Sequence, residues 1–415
     1  MKKRDKMRVL EIFRQITAIP HCSAHTTKLK DFITDFAKSC GFTTQTDEAG
    51  NILCFRTNRS ICLQAHYDMV CVGKAPKIEI IDDEEFLKAK DSSLGADNGI
   101  GVAIMLALME EGKEAEYLFT NDEEIGLIGA QYLAIPLQAK KMINLDSEEF
   151  GSIYIGCAGG GDIEASKRIS YKRSSKRYFY EVTARNFSGG HSGVDIDKNI
   201  SNAIKEFSFF ARGSEIAYIK AGDRLNAIPA SLHAKVASDR VLESDEYFLV
   251  KECEPCEVID FDLLGLLCAF PTGIRGWEHR FAIPSRSLNL ATVNIEEKLI
   301  KIGVSYRGNS QEDLEAMEQE ALCTLRDFAC RVSGKYPPWK PEITPFAKEI
   351  ANIYRQFSDE VSFKAIHAGL ECALFAKKFD AIVSIGPDIF YPHSTNERVR
   401  KASIEPIFKM LKEFL

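Results

Sequence analysis

Residues 95–112 read GADNGIGVAIMLALMEEG. Glycines punctuate both ends, and the apolar residues between them leave no polar stripe. That pattern predicts a helix buried on all sides, entered through glycines and ending before Gly112. Short β-rich runs surround it: ICLQA (61–65) before, EYLFT (116–120) and MINLD (142–146) after, with polar or acidic residues at or beyond their ends. Strands alternating with helices predict an α/β sheet with parallel members, whose sites lie at the C-terminal ends of the strands.

Working outward, helical periodicity opens the chain over 7–17 and resumes over 26–40, with Gly41 as the residue after the helix end. From about residue 177 the texture changes. RYFYEVTARNF, ASLHAKVASD, EYFLVKECE, SLNLATVNI and KLIKIGVSY read as strands, with helices near 199–211 and 310–332. This is α+β character, an antiparallel sheet with helices on one face. After the proline-rich joint YPPWKP (336–341), α/β texture returns with a helix over 345–357, AIHAGLECALFAKKF, the strand AIVSIG and a final helix. The expected fold is an α/β catalytic domain with a mixed, mainly parallel sheet flanked by helices. An inserted α+β domain interrupts it, with segments at 1–178 and 344–415 around the insert at 179–343.

A chain of 415 residues has ample surface to bury in two domains without staples. Its net charge of −7 and pI near 5.8 argue against nucleic acid as a main partner. The start MKKRDKMRVLEIFRQITAIP is basic, but Glu11, Arg14 and Gln15 interrupt any apolar leader, and no run approaches the ~18 apolar residues that span a membrane. The twelve cysteines are scattered through a long chain, which favours reduced, mostly buried thiols and a cytoplasmic protein. Cys253 and Cys256 have redox or zinc-ligand spacing, yet no second pair completes a four-ligand site.

In LQAHYDMV (63–70), His66 and Asp68 share one face of a strand. Such a pair is either a metal ligand with the acid that orients it or a buried histidine satisfied by a neighbour. Further acids stand at other element boundaries: Asp97 in LGADNG, Asp122, Glu123 and Glu124 after YLFT, and Asp146 after MIN. Each alone reads as a turn or a helix cap. Their recurrence along one sheet edge instead crowds carboxylates into a cleft, where they repel unless cations compensate. Asp97, Glu123, Glu124 and Asp146 carry four negative charges and two divalent ions carry four positive ones. Oxygen ligands mixed with imidazole suit zinc, with manganese or cobalt as alternatives. Adjacent Glu123 and Glu124 project differently, so one can hold metal while the other shuttles a proton.

With these residues assembled, the chain resembles the co-catalytic dinuclear zinc metallopeptidases that include peptidase T, acetylornithine deacetylase and the carnosinases. Within that group it is most similar to the bacterial aminoacyl-histidine (Xaa-His) dipeptidases. The matching stretches are LQAHYDMV, LGADNGIGVA, TNDEEIGLIGA, INLDSEE, GCAGGGD, FSGGHSGVDI, DRLNAIPA, SLNLA, HAGLEC and SIGPDIFYPHSTNERV, in order from residue 63 to 399. The resemblance implies that His66, Asp97 and Asp146 hold one ion and that Asp97, Glu124 and His393 hold the other, so that Asp97 bridges. It implies a hydroxide shared by the two ions, Glu123 as general acid/base, Asp68 as the acid orienting His66, and a cis peptide after Asp97. The insert becomes a lid over a small peptide substrate. There His191 in GGHSG stabilises the oxyanion, Asn226 in NAIP contacts substrate, and Arg307 pairs with a substrate carboxylate or is an exposed arginine on a surface strand. Gly369 lines the pocket or enters a helix. His21, His25, His233, His279 and His367 are left to structure or solvent. A homodimer is expected.

Departures from the group pattern are Ala65 for glycine, Ser92 and Ser93 for threonines, HSTNE at 393–397 for the usual loop, and a shorter insert. Substrate length preference and dimer contacts therefore transfer least. GHSGV lacks the spacing of a serine nucleophile elbow, and CAGGGD and GADNGIG supply no nucleotide-binding fingerprint. The remaining rivals are an N-acyl-amino-acid deacylase or tripeptide aminopeptidase on the same scaffold, and a non-catalytic metal-binding protein. A binding module needs no proton shuttle at Glu123.

Overall fold

The computed structural model describes residues 2–415, with side chains from Arg8 onward. The chain divides into two compact units: one contains the residues up to Gly156 with Pro341–Ala365 and Leu370–Leu415, the other Cys157–Lys340 with Ile366–Gly369.

The first unit is built on an eight-stranded sheet. In spatial order its strands are Thr43–Thr46, Ile52–Phe55, Glu116–Thr120, Ile61–His66, Lys141–Asn144, Ala381–Ser384, Ser152–Cys157 and Ser362–Ile366. The four middle strands, from Glu116–Thr120 to Ala381–Ser384, run parallel, whereas Ile52–Phe55 and Ser152–Cys157 are antiparallel to their inner neighbours. Register pairs His66 with Thr120, Gln64 with Asn144, and Asn144 with Ser384. The four strands therefore end within two residues of level, which puts the residues that follow them on one sheet edge.

The run that opened the sequence analysis is the helix Ala96–Glu110, buried continuously from Gly99 to Met109. It packs on the strand Ile61–His66 and against the helices Lys2–Thr17, Thr27–Ser39 and Lys401–Phe414. Covered on every side, it has no use for a polar stripe. Gly95 enters it at a φ of 71°, a conformation that costs glycine nothing. Just below these strand ends, a buried polar belt crosses the parallel strands. Gln64 donates to Thr120 Oγ1 at 2.9 Å, Asn144 donates to Gln64 Oε1 at 2.6 Å, and Ser384 donates to Asn144 Oδ1. These bonds satisfy groups that would be costly to bury alone and lock the strands in register.

The second unit carries an antiparallel nine-stranded sheet. Its main path runs Phe248–Glu252, Tyr178–Ala184, Leu232–Ser238, Glu215–Ala221, Ile283–Glu296, Leu299–Gly308, Gly159–Arg168 and Ala329–Tyr336, and Gly273–Glu278 pairs beside Ile283–Glu296. Sheet residues such as Val182, Ile219 and Val304 share one core with Phe207, Leu267 and Met317 from three helices.

The units meet at Gly156/Cys157 and Lys340/Pro341, where composition had suggested 178/179 and 343/344. The reason is GGGDIEASKR (159–168), which is poor in β-formers yet pairs along its length with Leu299–Gly308 and Ala329–Tyr336. Cross-strand neighbours decide its state, and intrinsic propensity does not. Likewise the helix expected over 310–332 stops at Thr324, and Ala329–Tyr336 is a strand.

The cysteine expectation also needs correction. Cys22 and Cys71 form a disulfide, and the other ten cysteines are not disulfide-bonded. Met69 N–H donates to the His21 carbonyl and Ser23 N–H to the Met69 carbonyl, and this pairing brings the two cysteines to a Cα separation of 5.5 Å. Among the described residues no helix is long and apolar enough to cross a membrane.

Candidate active site

Each acid singled out in the sequence follows one of the nearly level strand ends or enters the buried helix, and the fold of the first unit brings them together. Asp97 lies between two histidines. Its Oδ1 is 3.0 Å from His66 Nε2 and its Oδ2 is 3.1 Å from His393 Nε2. His66 Nε2 is also 3.2 Å from Asp146 Oδ1, and His393 Nε2 is 2.9 Å from Glu124 Oε1. Two clusters of one imidazole and two carboxylates thus share the Asp97 carboxylate. The Asp97–Asn98 peptide bond is cis.

Asp68 does more than the sequence suggests. Its main-chain carbonyl is the nearer partner of His66 Nδ1, at 3.0 Å, while the carboxylate stands 3.5 Å away. The carboxylate instead accepts the main-chain N–H of Glu123 at 2.9 Å and of Glu124 at 3.3 Å, together with Ser23 Oγ at 2.8 Å. It therefore ties the His66 strand end to the turn that carries both glutamates. Burial alone would raise the Asp68 pKa, but His66 and these donors hold it below the ordinary carboxylate value.

Several residues absent from the sequence argument belong here. Glu397, buried at the end of the loop that carries His393, accepts four main-chain N–H groups: Leu94 and Gly95 at 2.6 and 2.9 Å on one oxygen, Ala96 and Asp97 at 2.8 and 3.2 Å on the other. One loop thus supplies an imidazole and fixes the backbone at Asp97. Asn98 donates to Asp146 Oδ1 at 2.7 Å. Glu371, fully buried, accepts from Gln64 and from Thr120 Oγ1. Both glutamates stand in stretches quoted above, PHSTNE and HAGLEC, but nothing local to either marks it as a site residue.

The electrostatics are those of acids in excess. Burial, reinforced by Asp146, Glu124 and Glu371, raises Glu123 well above a normal carboxyl, and burial with the Asp97 charge pushes Glu124 up to about 7. Burial favours the neutral form of both rings, yet neighbouring carboxylates raise His66 well above its usual value and bring His393 to about 11. Two imidazolium charges cannot balance Asp97, Asp146, Glu123 and Glu124.

The donor set fits divalent cations. Glu124 Oε1 is buried and accepts no hydrogen bond, although His393 Nε2 stands beside it. A buried acceptor left open next to an imidazole nitrogen is the arrangement of two ligands to one ion. Donor atoms of His66, Asp97 and Glu124 all lie within 4.8 Å of one another.

In the second unit, His191 and Asn226 are neighbours. The strand Gly190–His191 pairs with Ala227–Ile228, and Ser192 N–H donates to the Asn226 carbonyl at 2.9 Å. His191 Nδ1 accepts the N–H groups of Gly193 and Val194 at 3.2 and 3.1 Å, which leaves the proton of the neutral ring on Nε2. Arg307 lies in the strand Leu299–Gly308 and is buried, which excludes the exposed strand arginine considered above. Gly369 packs against the ring of Tyr336. His367 is structural, bonded to Ser287 Oγ at 2.8 Å and Asn309 Oδ1 at 3.2 Å. Cys253 and Cys256 are free thiols, and among the described residues no cluster of three metal-binding groups includes them.

A parallel-centred sheet whose strand ends gather carboxylates and imidazoles around one shared aspartate defines a metal-dependent hydrolase. Residues 62–415 match Peptidase family M20/M25/M40, and the chain belongs to that metal-dependent family of peptidases. It is 32% identical to the cytosol non-specific dipeptidase of Escherichia coli (strain K12), over 98% of this chain and 96% of that protein. Among solved structures it is similar to aminoacylhistidine dipeptidase from Vibrio alginolyticus, with a TM-score of 0.83 and 26% identity over 98% and 96% of the two chains. It also shares the fold of an aminopeptidase from Bacillus cereus, with a TM-score of 0.61 and 15% identity over 98% of each chain.

Proposed function

We propose that this protein hydrolyses dipeptides, favouring a C-terminal histidine, with two divalent cations, zinc or in its place manganese or cobalt, and that it works in the cytoplasm. The observation that carries the reading is the Asp97 carboxylate, with one oxygen facing His66 and the other facing His393. Relatives named as a cytosol non-specific dipeptidase and an aminoacylhistidine dipeptidase support the substrate class, and the first name supports the compartment.

His66, Asp97 and Asp146 would hold one cation and Asp97, Glu124 and His393 the other. Bound there, the cations supply Lewis-acid polarisation and acidify water. Glu123, whose raised proton affinity suits the task, takes the proton of the attacking water and returns it to the leaving amine. Asp68 holds the Glu123 and Glu124 turn through the two main-chain N–H groups. His191 donates Nε2–H to the developing oxyanion, a role supported by its fixed tautomer, and Asn226 contacts the substrate beside it. Arg307 pairs with the substrate's terminal carboxylate. Its support is a buried guanidinium with Nε lacking any acceptor.

The test is release of histidine from β-Ala-His and Gly-His, beside an N-acetyl amino acid and a tripeptide, with Zn²⁺, Mn²⁺ or Co²⁺ added to chelator-free enzyme. Metal-dependent cleavage of the dipeptides is expected. Cleavage mainly of the acylated compound or the tripeptide overturns the substrate assignment, and no cleavage by protein carrying two ions overturns the enzymatic one.

A further inference from the structure

Arg307 poses a question that its own contacts do not answer. It is 8% exposed, and among the described residues no carboxylate lies within ion-pair distance of it. Its Nη1 donates to Tyr336 Oη at 2.6 Å, and its Nε is buried without an acceptor. A phenol oxygen accepts a hydrogen bond but neutralises no charge, and the Asp162 carboxylate acts on the guanidinium only from beyond ion-pair distance, so the buried charge is compensated in part and has no direct anionic partner. The cost of such an arrangement is offset when an anion arrives, and only if the donors are already aimed.

Aim is what Tyr336 provides. It closes the strand Ala329–Tyr336 and begins YPPWKP, so two prolines restrict the backbone immediately after it. Its ring lies against two glycines. A Cβ at Gly369 would fall 2.9 Å from its Cε2, and a Cβ at Gly160 would fall 2.7 Å from its Oη and 2.9 Å from its Cζ. Neither position tolerates a side chain without moving the ring, and moving the ring moves the oxygen that holds Arg307. Burial raises the Tyr336 pKa, so the phenol stays neutral. Gly193 crowds the guanidinium on another side, where a Cβ would lie 2.9 Å from Nε. All these residues belong to the second unit.

We infer that Tyr336, seated between Gly160 and Gly369, is a positioning residue that fixes the Arg307 guanidinium to select substrates with a free C-terminal carboxylate. The inference rests on the reading of Arg307 given above. It also gives Gly369 a role: the residue makes room for the ring that orients the carboxylate binder.

The experiment compares Gly-His with its C-terminal amide, using full-length, metal-loaded enzyme and the variants Tyr336→Phe, Gly369→Ala and Arg307→Met. Wild type should prefer the free acid by on the order of 100-fold in kcat/KM, since the amide leaves a buried guanidinium unpaired. Tyr336→Phe deletes only the hydroxyl and should raise KM for Gly-His by about tenfold, the worth of one hydrogen bond to a charged group, with kcat and the amide's kinetics unchanged. Gly369→Ala should reproduce that KM-only change with the hydroxyl still present. Arg307→Met should abolish the preference altogether. If Arg307→Met does so while both other variants keep the wild-type KM, the inference about Tyr336 fails and the Arg307 reading stands. Should Arg307→Met keep the preference, the Arg307 reading falls and takes the inference with it. Equal losses on acid and amide in Tyr336→Phe, or a loss of kcat, would show a merely structural tyrosine.

Discussion

Replacing Asp68 by asparagine preserves volume and removes one acceptor and one charge at a site 1% exposed. The two carboxylate oxygens divide four neighbours: Oδ1 faces Glu123 N–H and His66 Nδ1, and Oδ2 faces Ser23 Oγ and Glu124 N–H. An amide nitrogen is tolerated better at the Oδ2 position, because the Ser23 hydroxyl can turn and accept while Glu124 N–H is left facing a donor. One unpaired buried N–H costs about 1–3 kcal/mol, and the surviving bond to Glu123 N–H drops to roughly half its charge-assisted strength. The His66 ring is also held by the Asp68 main-chain carbonyl, which the substitution leaves in place. Damage should therefore fall on the glutamate turn more than on the imidazole. The expected outcome is a loss of kcat/KM at the upper part of the ~10–100-fold range for such supporting groups, with metal affinity reduced toward its lower end. Initial rates on Gly-His give the first quantity, and competition with a chelator at fixed pH gives the second. An Asp68→Asn enzyme within about twofold of wild type in both would refute the claim that this carboxylate organises the Glu123 turn.

Glu123→Gln should keep its metal while kcat falls by about 10²–10⁴, and Asp97→Asn should lose metal from both positions; elemental analysis beside rate measurements separates the two. His367 is buried and bonded as a neutral ring, and burial, with the Arg307 charge adding to it, lowers its pKa from 6.5 to about 3. The unfolded chain therefore binds the extra proton, so this contribution is intact above pH 6.5 and is lost as pH falls toward 3, by up to ~1.4 kcal/mol per unit. Urea unfolding across that window should show a steeper acid loss in wild type than in His367→Asn, and parallel slopes would contradict the assignment. Reducing Cys22–Cys71, which closes a loop of sequence separation 49, should lower unfolding stability by about 3–4 kcal/mol. Unchanged denaturant midpoints with and without reductant would show that the bond does not constrain the chain.

Much of the candidate site was legible in the sequence because metal-binding groups are particular residue types that stand out at element boundaries. His66, Asp97, Glu123, Glu124 and Asp146 announce themselves by interrupting apolar runs, and the nearly level ends of parallel strands turn that one-dimensional pattern into one edge. The buried helix was legible for the same reason, since a segment covered on all sides has no polar face to show. His393 was not legible alone: it lies 296 residues from Asp97 in a polar loop, and only the ordered resemblance pointed to it. Glu397 and Glu371 were hidden because what they bind, main-chain N–H groups and a polar belt of other strands, leaves no local pattern. The domain boundary at Gly156 and the Cys22–Cys71 bond belong to the same class. A strand of weak propensity is held by its neighbours, and two cysteines meet because a loop pairs with a strand end. Residue type determines which chemistry is possible, and it acts locally; partners distant in sequence become partners only when packing brings them within ångströms, and that the tertiary structure alone decides.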